Sequence, residues 1–415
     1  MKFAVAVHGS RGDVEPCLAV ALELLDRGHE VRFACPPNLV NFATSSGLSD
    51  VVPYGVDSAE QMQSEAFQNW WKFQNPVTTF REGQDYMTRG WPEMASTLAG
   101  LADGADAILT GTTYQEIGAN VAEHHGIRLV ALHYFPARPN SHLLPVPLPR
   151  ALIPPAFGVA EWALWRLQKQ AEDAQRRELG LPKATVNSVR RIVDGGAVEI
   201  QAYDQRLFPG LDEEWGGTRP FVGSITRELV TDSDDEVAAW IAAGTPPIYF
   251  GFGSTPIESP AALVAMITAV CAQLGERALI STGSWDLTEI PPAEHVKLVS
   301  AVNYAAMFSA CRAVVHHGGA GTTAAGVRAG VPTLVLWSVA DQPVWGQQVK
   351  RLKIGASRRF SSMTHDKLHS ALQSILTPEC LARTREVAAE MTPAAQSAPK
   401  AADILEAAAR RDGVR

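Results

Sequence analysis

Cysteine is scarce: five in 415 residues, at positions 17, 35, 271, 311 and 380, an odd set with no CxxC pair. That excludes a disulfide framework or a thiolate zinc site as the basis of the fold, and it suits free thiols in a reducing compartment. Long apolar runs are missing as well. The most hydrophobic region, 143–165, is broken by five prolines, Arg150 and Glu161, whereas a membrane-spanning helix needs about 18 apolar residues in a row. The opening run Phe3 to Val7 is too short for a secretory signal and reads as a first strand. Positive charge is also in deficit. With 36 Lys and Arg against 44 Asp and Glu the net charge is −8, and no clustered basic surface is evident. A nucleic-acid partner is therefore not expected. These absences describe a cytoplasmic protein with no integral membrane segment.

What is present is an α/β pattern. Apolar residues make up 46% and charged residues 19%, a globular composition, and the length suggests two domains of roughly 200 residues each. The chain opens as strand 3–7, glycine-bearing turn 9–12, helix Val14 to Arg27 and strand Val31 to Cys35. Further apolar runs at 107–109 and 128–132 alternate with a helical stretch at 116–124. The second half repeats this plan, with strands expected at 247–252, 277–281, 296–300, 312–316 and 333–337 and a helix over 261–274. Such alternation implies parallel strands with helical crossovers. The acid-rich Thr231 to Glu236 marks a boundary. The expected organisation is thus a domain over 1–215, a linker over 216–235, a domain over 236–395, and a terminal segment over 396–415. A last helix is expected from Lys400 to Arg411 after a loosely ordered 392–399, and periodicity leaves open which domain it joins.

Four constellations could carry chemistry. In Val314-Val315-His316-His317-Gly318-Gly319-Ala320-Gly321-Thr322-Thr323 a buried strand feeds a helix through a turn with almost no side chains. The free N–H groups and positive end of that helix suit a phosphate. Gly319 to Thr322 would supply amides, Thr322 a hydroxyl and His317 a ring N–H. The two histidines point to opposite faces of the strand, so a paired metal site is not expected. In Gly9-Ser10-Arg11-Gly12-Asp13 the acid suits a helix cap, yet it also follows the first parallel strand, where open α/β sheets bind ligands. A carboxylate there could accept a hydroxyl proton. Val339-Ala340-Asp341-Gln342-Pro343 places an acid and an amide after a strand, a pair suited to sugar hydroxyls and, taken alone, a turn. Asp232-Ser233-Asp234 resembles manganese-holding acids, but directly before a helical run, capping and solvation explain it better. Trp285 could stack on a base or pack in the core.

In order, Gly9-Ser-Arg-Gly-Asp13, Gly251-Phe-Gly-Ser254, His316-His-Gly-Gly-Ala-Gly-Thr-Thr323 and Ala340-Asp-Gln-Pro343 resemble the bacterial family 1 glycosyltransferases of the GT-B fold. The likeness is nearest to the branch acting on glycopeptide antibiotics and mycobacterial glycopeptidolipids, and it covers essentially the whole chain. The resemblance implies two Rossmann-like, doubly wound parallel-sheet domains facing a cleft. A C-terminal domain would take a UDP- or TDP-sugar, an N-terminal domain the acceptor, and the last helix would cross back to the N-terminal domain. It further implies an inverting reaction without a bound metal or other cofactor. Asp13 matches the general base, with Ser10 and Gly12 beside it. Gly253, Ser254, His317, Gly319, Ala320, Gly321 and Thr322 match the diphosphate side, Asp341 and Gln342 the sugar side, and Trp285 and Val302 the base side. Ser284-Trp285 stands where the family often has Gly-Trp, and Val302-Asn303-Tyr304 where it has Val-Asn-His. Aromatic residues within 58–95 (Trp70, Trp71, Phe73, Phe80, Tyr86 and Trp91) and the Pro-rich 136–157 lie where the family varies with its acceptor. They suit a large apolar one, either a small natural product or a lipid that would bring the protein transiently to the inner membrane face.

Two other readings compete. A nicotinamide-dependent Rossmann oxidoreductase needs a complete G-x-G-x-x-G and an acid ending the second strand, and neither Gly9–Gly12 nor Ala34-Cys35-Pro36 supplies them. A nucleotide-sugar-binding module without catalysis is opposed by the intact Asp13 and Asp341-Gln342.

Overall fold

Among the described residues twelve strands build two sheets, every neighbouring pair parallel. The computed structural model describes residues 1–63, 76–143, 149–227, 231, 234–253, 255, 257–283, 285, 291, 293–338 and 341–410. They fall into two compact units: 1–203 with 210–225 and 393–415, and 204–209 with 226–392.

The first unit carries β1 (Lys2–Ala6), β2 (Glu30–Cys35), β3 (Val51–Pro53), β4 (Ala107–Thr110), β5 (Arg128–His133) and β6 (Val198–Gln201), in sheet order β3-β2-β1-β4-β5-β6. The second carries β7 (Ile248–Gly251), β8 (Ala278–Ser281), β9 (Val296–Val299), β10 (Ala313–His316), β11 (Thr333–Trp337) and β12 (Gly355–Arg359), in order β9-β8-β7-β10-β11-β12. Both are the doubly wound order 3-2-1-4-5-6, in which helices cover both faces and central strands are apolar throughout. The two-residue period of a strand sorts β1 accordingly. Phe3, Val5 and Val7 enter one core layer, while Ala4 and Ala6 enter the other with Trp91, Ile108 and Ile117. In the second unit Ile248, Phe250 and Phe252 join one layer, and Tyr249, Leu279 and Val314 the other. Each such side chain, fully buried, is worth roughly 1.5–3 kcal/mol.

Seven helices carry or flank the candidate residues: α1 (Arg11–Asp26), α2 (Gln115–His125), α3 (Ile153–Glu178), α4 (Pro260–Leu274), α5 (Ala320–Arg328), α6 (Gln342–Arg351) and α7 (Ala394–Arg410). α3 begins within the Pro-rich 136–157, with Pro154 and Pro155 in its first turn, where a missing N–H costs nothing. One helix differs from the sequence expectation. The terminal helix begins at Ala394 and runs through Pro399. Its Ala401, Ala402, Leu405 and Ala408 are buried in the layer that holds Val5 and Leu18. Arg27 at the end of α1 binds its Asp403, Glu406 and the Pro399 carbonyl.

Buried charge in the first unit is paired. Arg138 and Glu199, both at most 5% exposed, form an ion pair, with Arg138 Nε 2.6 Å from the carboxylate and Arg219 closing its other oxygen at 2.9 Å. All five cysteines are free. No described helix is long and apolar enough to cross a membrane.

Candidate functional site

The turn after β10 is built for backbone exposure. Gly318 sits at φ +100°, and a Cβ there would lie 2.8 Å from Val335 and 3.0 Å from Gln342, so only glycine lets β10 bend into α5 against that neighbour. His316 is fully buried, and its Nδ1 accepts the Gly318 N–H at 2.9 Å. It holds the corner and faces away from the open turn. Gly319 is the N-cap of α5 and brings no capping side chain, so the first amides of that helix have no capping partner from the cap residue. Gly321 is exposed, with nothing within 4 Å of an added Cβ, and Thr322 is half-buried.

His317 borders this turn. A Cβ on Gly319 would come within 2.8 Å of its Nε2, and one on Gly253 within 2.7 Å of its Cε1. Gly253 itself adopts φ +57° after β7. Burial lowers the His317 pKa to about 4, the Gly251 carbonyl acting in the opposite sense. The ring is therefore neutral at pH 7, and its buried Nδ1 has no hydrogen-bond partner of good geometry. A neutral imidazole presents one N–H and one acceptor nitrogen.

Asp341 and Gln342 stand at the start of α6. Asp341 accepts the Trp345 indole N–H at 2.8 Å, and burial raises its pKa, with the Trp345 bond opposing. Gln342 Oε1 accepts the Ser338 N–H at 2.8 Å. Trp345 is fully buried and packs edge-on against Phe208, 5.2 Å between centroids. The proximity of Gly318 to Gln342 and of Gly253 to His317 shows that segments 251–253, 316–322 and 341–342 converge. Trp285 stacks on Phe252 at 6.2 Å, half-buried against the core, and Val302 is 6% exposed within the other layer. Ser254 and Ala340 lie outside the described residues, as do Asp232 and Ser233. Asp234, the first residue of the helix Asp234–Ala242, accepts Thr231 N–H and Oγ–H and the Asn303 N–H. No group of three or more His, Cys, Asp or Glu able to hold a metal occurs among the described residues.

In the first unit Asp13 performs the capping role its position suggests. Ser10 N–H and Ser10 Oγ–H both donate to Oδ2, at 2.7 and 2.8 Å, a reciprocal capping box at the head of α1. Gly9 at φ +143° is required here, since its Cβ would lie 2.4 Å from that oxygen. Asp13 remains half-buried and Gly12 exposed beside it.

Of the residues near this loop the sequence singled out Tyr86 alone, as an aromatic of 58–95. Tyr86 lies close enough to Asp13 for the carboxylate to add to the burial that lifts its phenol to about 12. Tyr114, at φ 56°, heads α2 and takes a hydrogen bond from Gln61, which also donates to the Tyr86 carbonyl. His8 is buried edge-on to Tyr114 and donates from Nε2 to the Val56 carbonyl. These residues join over long sequence separations, so no local pattern announces their meeting. Trp70, Trp71, Phe73 and the side chain of Phe80 lie outside the described residues.

The charge expectation is corrected by the structure: the chain does gather positive charge. Lys350, Arg351, Arg358 and Arg359 line a single groove on the second unit.

Two family descriptions match the chain. Residues 3–141 match the glycosyltransferase family 28 N-terminal domain, and residues 267–409 the erythromycin biosynthesis protein CIII-like C-terminal domain. An uncharacterised glycosyltransferase of Mycobacterium tuberculosis (strain ATCC 25618 / H37Rv) is 56% identical over 412 residues, 99% of this chain and 100% of its own. Glycosyltransferase GtfE of Amycolatopsis orientalis is 32% identical over 422 residues, 98% of either chain. The solved structure of glycosyltransferase VinC in complex with DTDP superposes with a TM-score of 0.67 at 17% identity, over 99% of this chain and 100% of that one.

Proposed function

Since the chain belongs to the nucleotide-sugar-dependent GT-B glycosyltransferases of family 1, we propose that it moves a hexose or deoxyhexose from a UDP- or TDP-sugar to a hydroxyl of a hydrophobic acceptor, with inversion and without a metal. The observation that carries this reading is the bare amide end of α5, bordered by a neutral His317 and approached by Asp341 and Gln342. A departing nucleoside diphosphate gains negative charge. Amides and a helix dipole held in place beforehand stabilise that charge without a cation. The thymidine diphosphate bound by VinC is consistent with such a guest.

In this reading the acceptor oxygen forms a bond to the anomeric carbon as the bond from that carbon to the diphosphate oxygen breaks, its electron pair leaving with the diphosphate. Asp13 takes the hydroxyl proton, and attack opposite the leaving group inverts the centre. Gly319, Ala320, Gly321 and Thr322 hold the diphosphate with His317, Gly253 and Ser254. Asp341 and Gln342 hold sugar hydroxyls, Trp285 and Val302 border the base, and Ser10 and Gly12 stand beside the reacting hydroxyl. Tyr86 near Asp13, with Tyr114 near Tyr86, supports an apolar acceptor, as does α3, whose Val159, Trp162 and Leu164 are more than half exposed. The matched family and relatives leave no support for the oxidoreductase or non-catalytic readings.

The test is a screen of uridine and thymidine diphosphate sugars for binding and transfer, with phenolic and lipid alcohols as acceptors and chelator in parallel. Transfer in chelator with an inverted product supports the reading. Turnover abolished by chelator, or a retained anomeric configuration, refutes it.

A further inference from the structure

The cationic groove of the second unit lies outside the diphosphate turn and the Asp13 loop. It has a volume of about 610 Å³, and its lining includes Trp337, Gln347, Lys350, Arg351, Arg358 and Arg359, without a carboxylate. Its origin is a run with no acid between 342 and 365 and five cations at 350, 351, 353, 358 and 359, in a chain whose acids outnumber its bases 44 to 36. Both edges of the run are structured. Lys350 and Arg351 end α6, and Arg358 and Arg359 end the edge strand β12. Ser357, 9% exposed on that strand, closes the floor against Gly346 of α6.

Many cations elsewhere meet carboxylates, Arg27, Arg138, Arg176, Arg219, Arg312 and Arg383 among them, while isolated ones such as Arg277 rest on backbone carbonyls and a tryptophan face. Lys350, Arg358 and Arg359 make no ion pair among the described residues. The Arg358 guanidinium reaches only a backbone carbonyl, and that of Arg359 lies over the Trp337 ring at 5.8 Å. Like charges sharing one concave wall raise each other's energy, and an anion relieves that. Guanidinium forks match the paired oxygens of a phosphate, lysine adds a point charge, and the indole gives an apolar flank for what the phosphate is esterified to. A solvated cationic face would spread these side chains, and it would not set them about one groove with a tryptophan in its wall.

We propose that this groove binds a phosphate ester, either a soluble phosphate or a lipid headgroup, at a site separate from the diphosphate turn. Its position suits a role in presenting a substrate. Trp337 ends the strand that leads to Asp341 and Gln342, and Pro343 lines the groove one residue beyond them.

The full chain, with uridine and thymidine diphosphate both saturating so that the 316–323 turn is filled, is titrated with glycerol 1-phosphate and, separately, with phosphatidylglycerol or phosphatidylcholine vesicles. The same is done with Lys350→Glu/Arg358→Glu, with the milder Lys350→Gln/Arg358→Gln, and with a control reversal in the first unit, Lys183→Glu/Arg190→Glu. Urea midpoints verify that each variant is folded. At least a tenfold loss in the groove variants, against less than twofold in the control, is the expected result. Loss in the glycerol phosphate arm assigns a soluble ester, and loss confined to phosphatidylglycerol assigns a headgroup. No binding above phosphatidylcholine by the native chain in either arm, or equal losses in groove and control variants, overturns the proposal. Because nucleotide binding and transfer are read separately, failure here leaves the transferase reading standing.

Discussion

Asp13→Asn separates two jobs that one carboxylate could hold. Structurally, Oδ2 receives two hydrogen bonds from Ser10 and completes the cap of α1. An asparagine oxygen can accept the same bonds, so the loss is mainly of charge at a helix N-terminus, about 0.3–1 kcal/mol. For a unit of 150–250 residues each kcal/mol lowers Tm by roughly 2–4 °C. Chemically, an asparagine cannot take a proton, and loss of a general base costs about 10²–10⁴-fold in rate, or roughly 3–5 kcal/mol of barrier. The two effects differ several-fold in energy, which makes them separable. Ser10→Ala supplies the companion case: it removes one hydroxyl bond to Oδ2 but leaves the carboxylate and the backbone donor. One such bond is worth about 1 kcal/mol, so its effect on transfer should stay within roughly tenfold. The assay is transfer at saturating donor and acceptor, with urea midpoints and calorimetric nucleotide affinity measured on the same preparations. If Asp13→Asn keeps transfer within tenfold of the native rate while its stability falls, the carboxylate is a cap and nothing more, and it is not the base of the transfer.

Gly321→Ala should raise stability by about 0.5–1 kcal/mol, because the position is helical with open space around it. The amide stays, but the new methyl occupies the open space over it, so nucleoside diphosphate binding should weaken, by roughly tenfold or about 1.4 kcal/mol. A gain in Tm with unchanged affinity by calorimetry means the diphosphate does not lie over Gly321. Burial lowers His317 to about 4 and His133 to about 3. Below the ordinary value of about 6.5 the unfolded chain therefore binds protons that the native one refuses, so stability is complete above pH 6.5 and is lost as pH falls toward 4. At about 1.4 kcal/mol per unit His317 alone contributes roughly 3 kcal/mol of that loss. His317→Gln should make the urea midpoint less sensitive between pH 7 and 4.5, and an unchanged slope contradicts the assignment. Arg138→Ala leaves the buried Glu199 with Arg219 as its remaining close cation. A loss of about 3 kcal/mol is expected, and a loss under about 1 kcal/mol in urea titration speaks against a charge held there.

Much of the fold was legible because the central strands are buried on both faces. Val314-Val315-His316 and Ala107-Ile108-Leu109 are continuous apolar runs stopped by turns, and burial at 0% is what such runs imply. The edge strands lacked that signal. β3 is three residues ending in proline, and β12, Gly-Ala-Ser-Arg-Arg, carries two exposed cations where a central strand would carry apolar side chains. The start of α7 was hidden by Pro399, whose cost in a helix interior is about 3 kcal/mol. Burial of four apolar side chains against α1 and its layer outweighs that. In the site, the glycine turns were visible because bare backbone is itself a pattern. The company of Asp13 was not. Tyr86, an aromatic the sequence did set apart, comes near Asp13 only because its helix is carried there, and the neighbours joined to it, Tyr114 and through it His8, have no sequence mark at all.

The placement of the Asp13 loop and of the glycine turn around His317 follows from one property of the sheet order. In each unit the first and fourth strands are neighbours, and the crossovers that leave them run to opposite sides. The loops after those two strands therefore part and leave a crevice at their carboxyl ends. In the first unit β1 delivers Gly9 to Asp13 there, and β4 delivers Tyr114 and Gln115. In the second, β7 delivers Gly251 to Gly253 and β10 delivers His317 to Thr322, in register from Ile248–Ala313 to Gly251–His316. That register is why a Cβ on Gly253 would strike His317, far along the sequence. Side chains of ordinary size in either loop would close the crevice. Glycine at 253, 319 and 321 keeps it open, and the same bareness that removes the obstruction exposes the amides an anion needs.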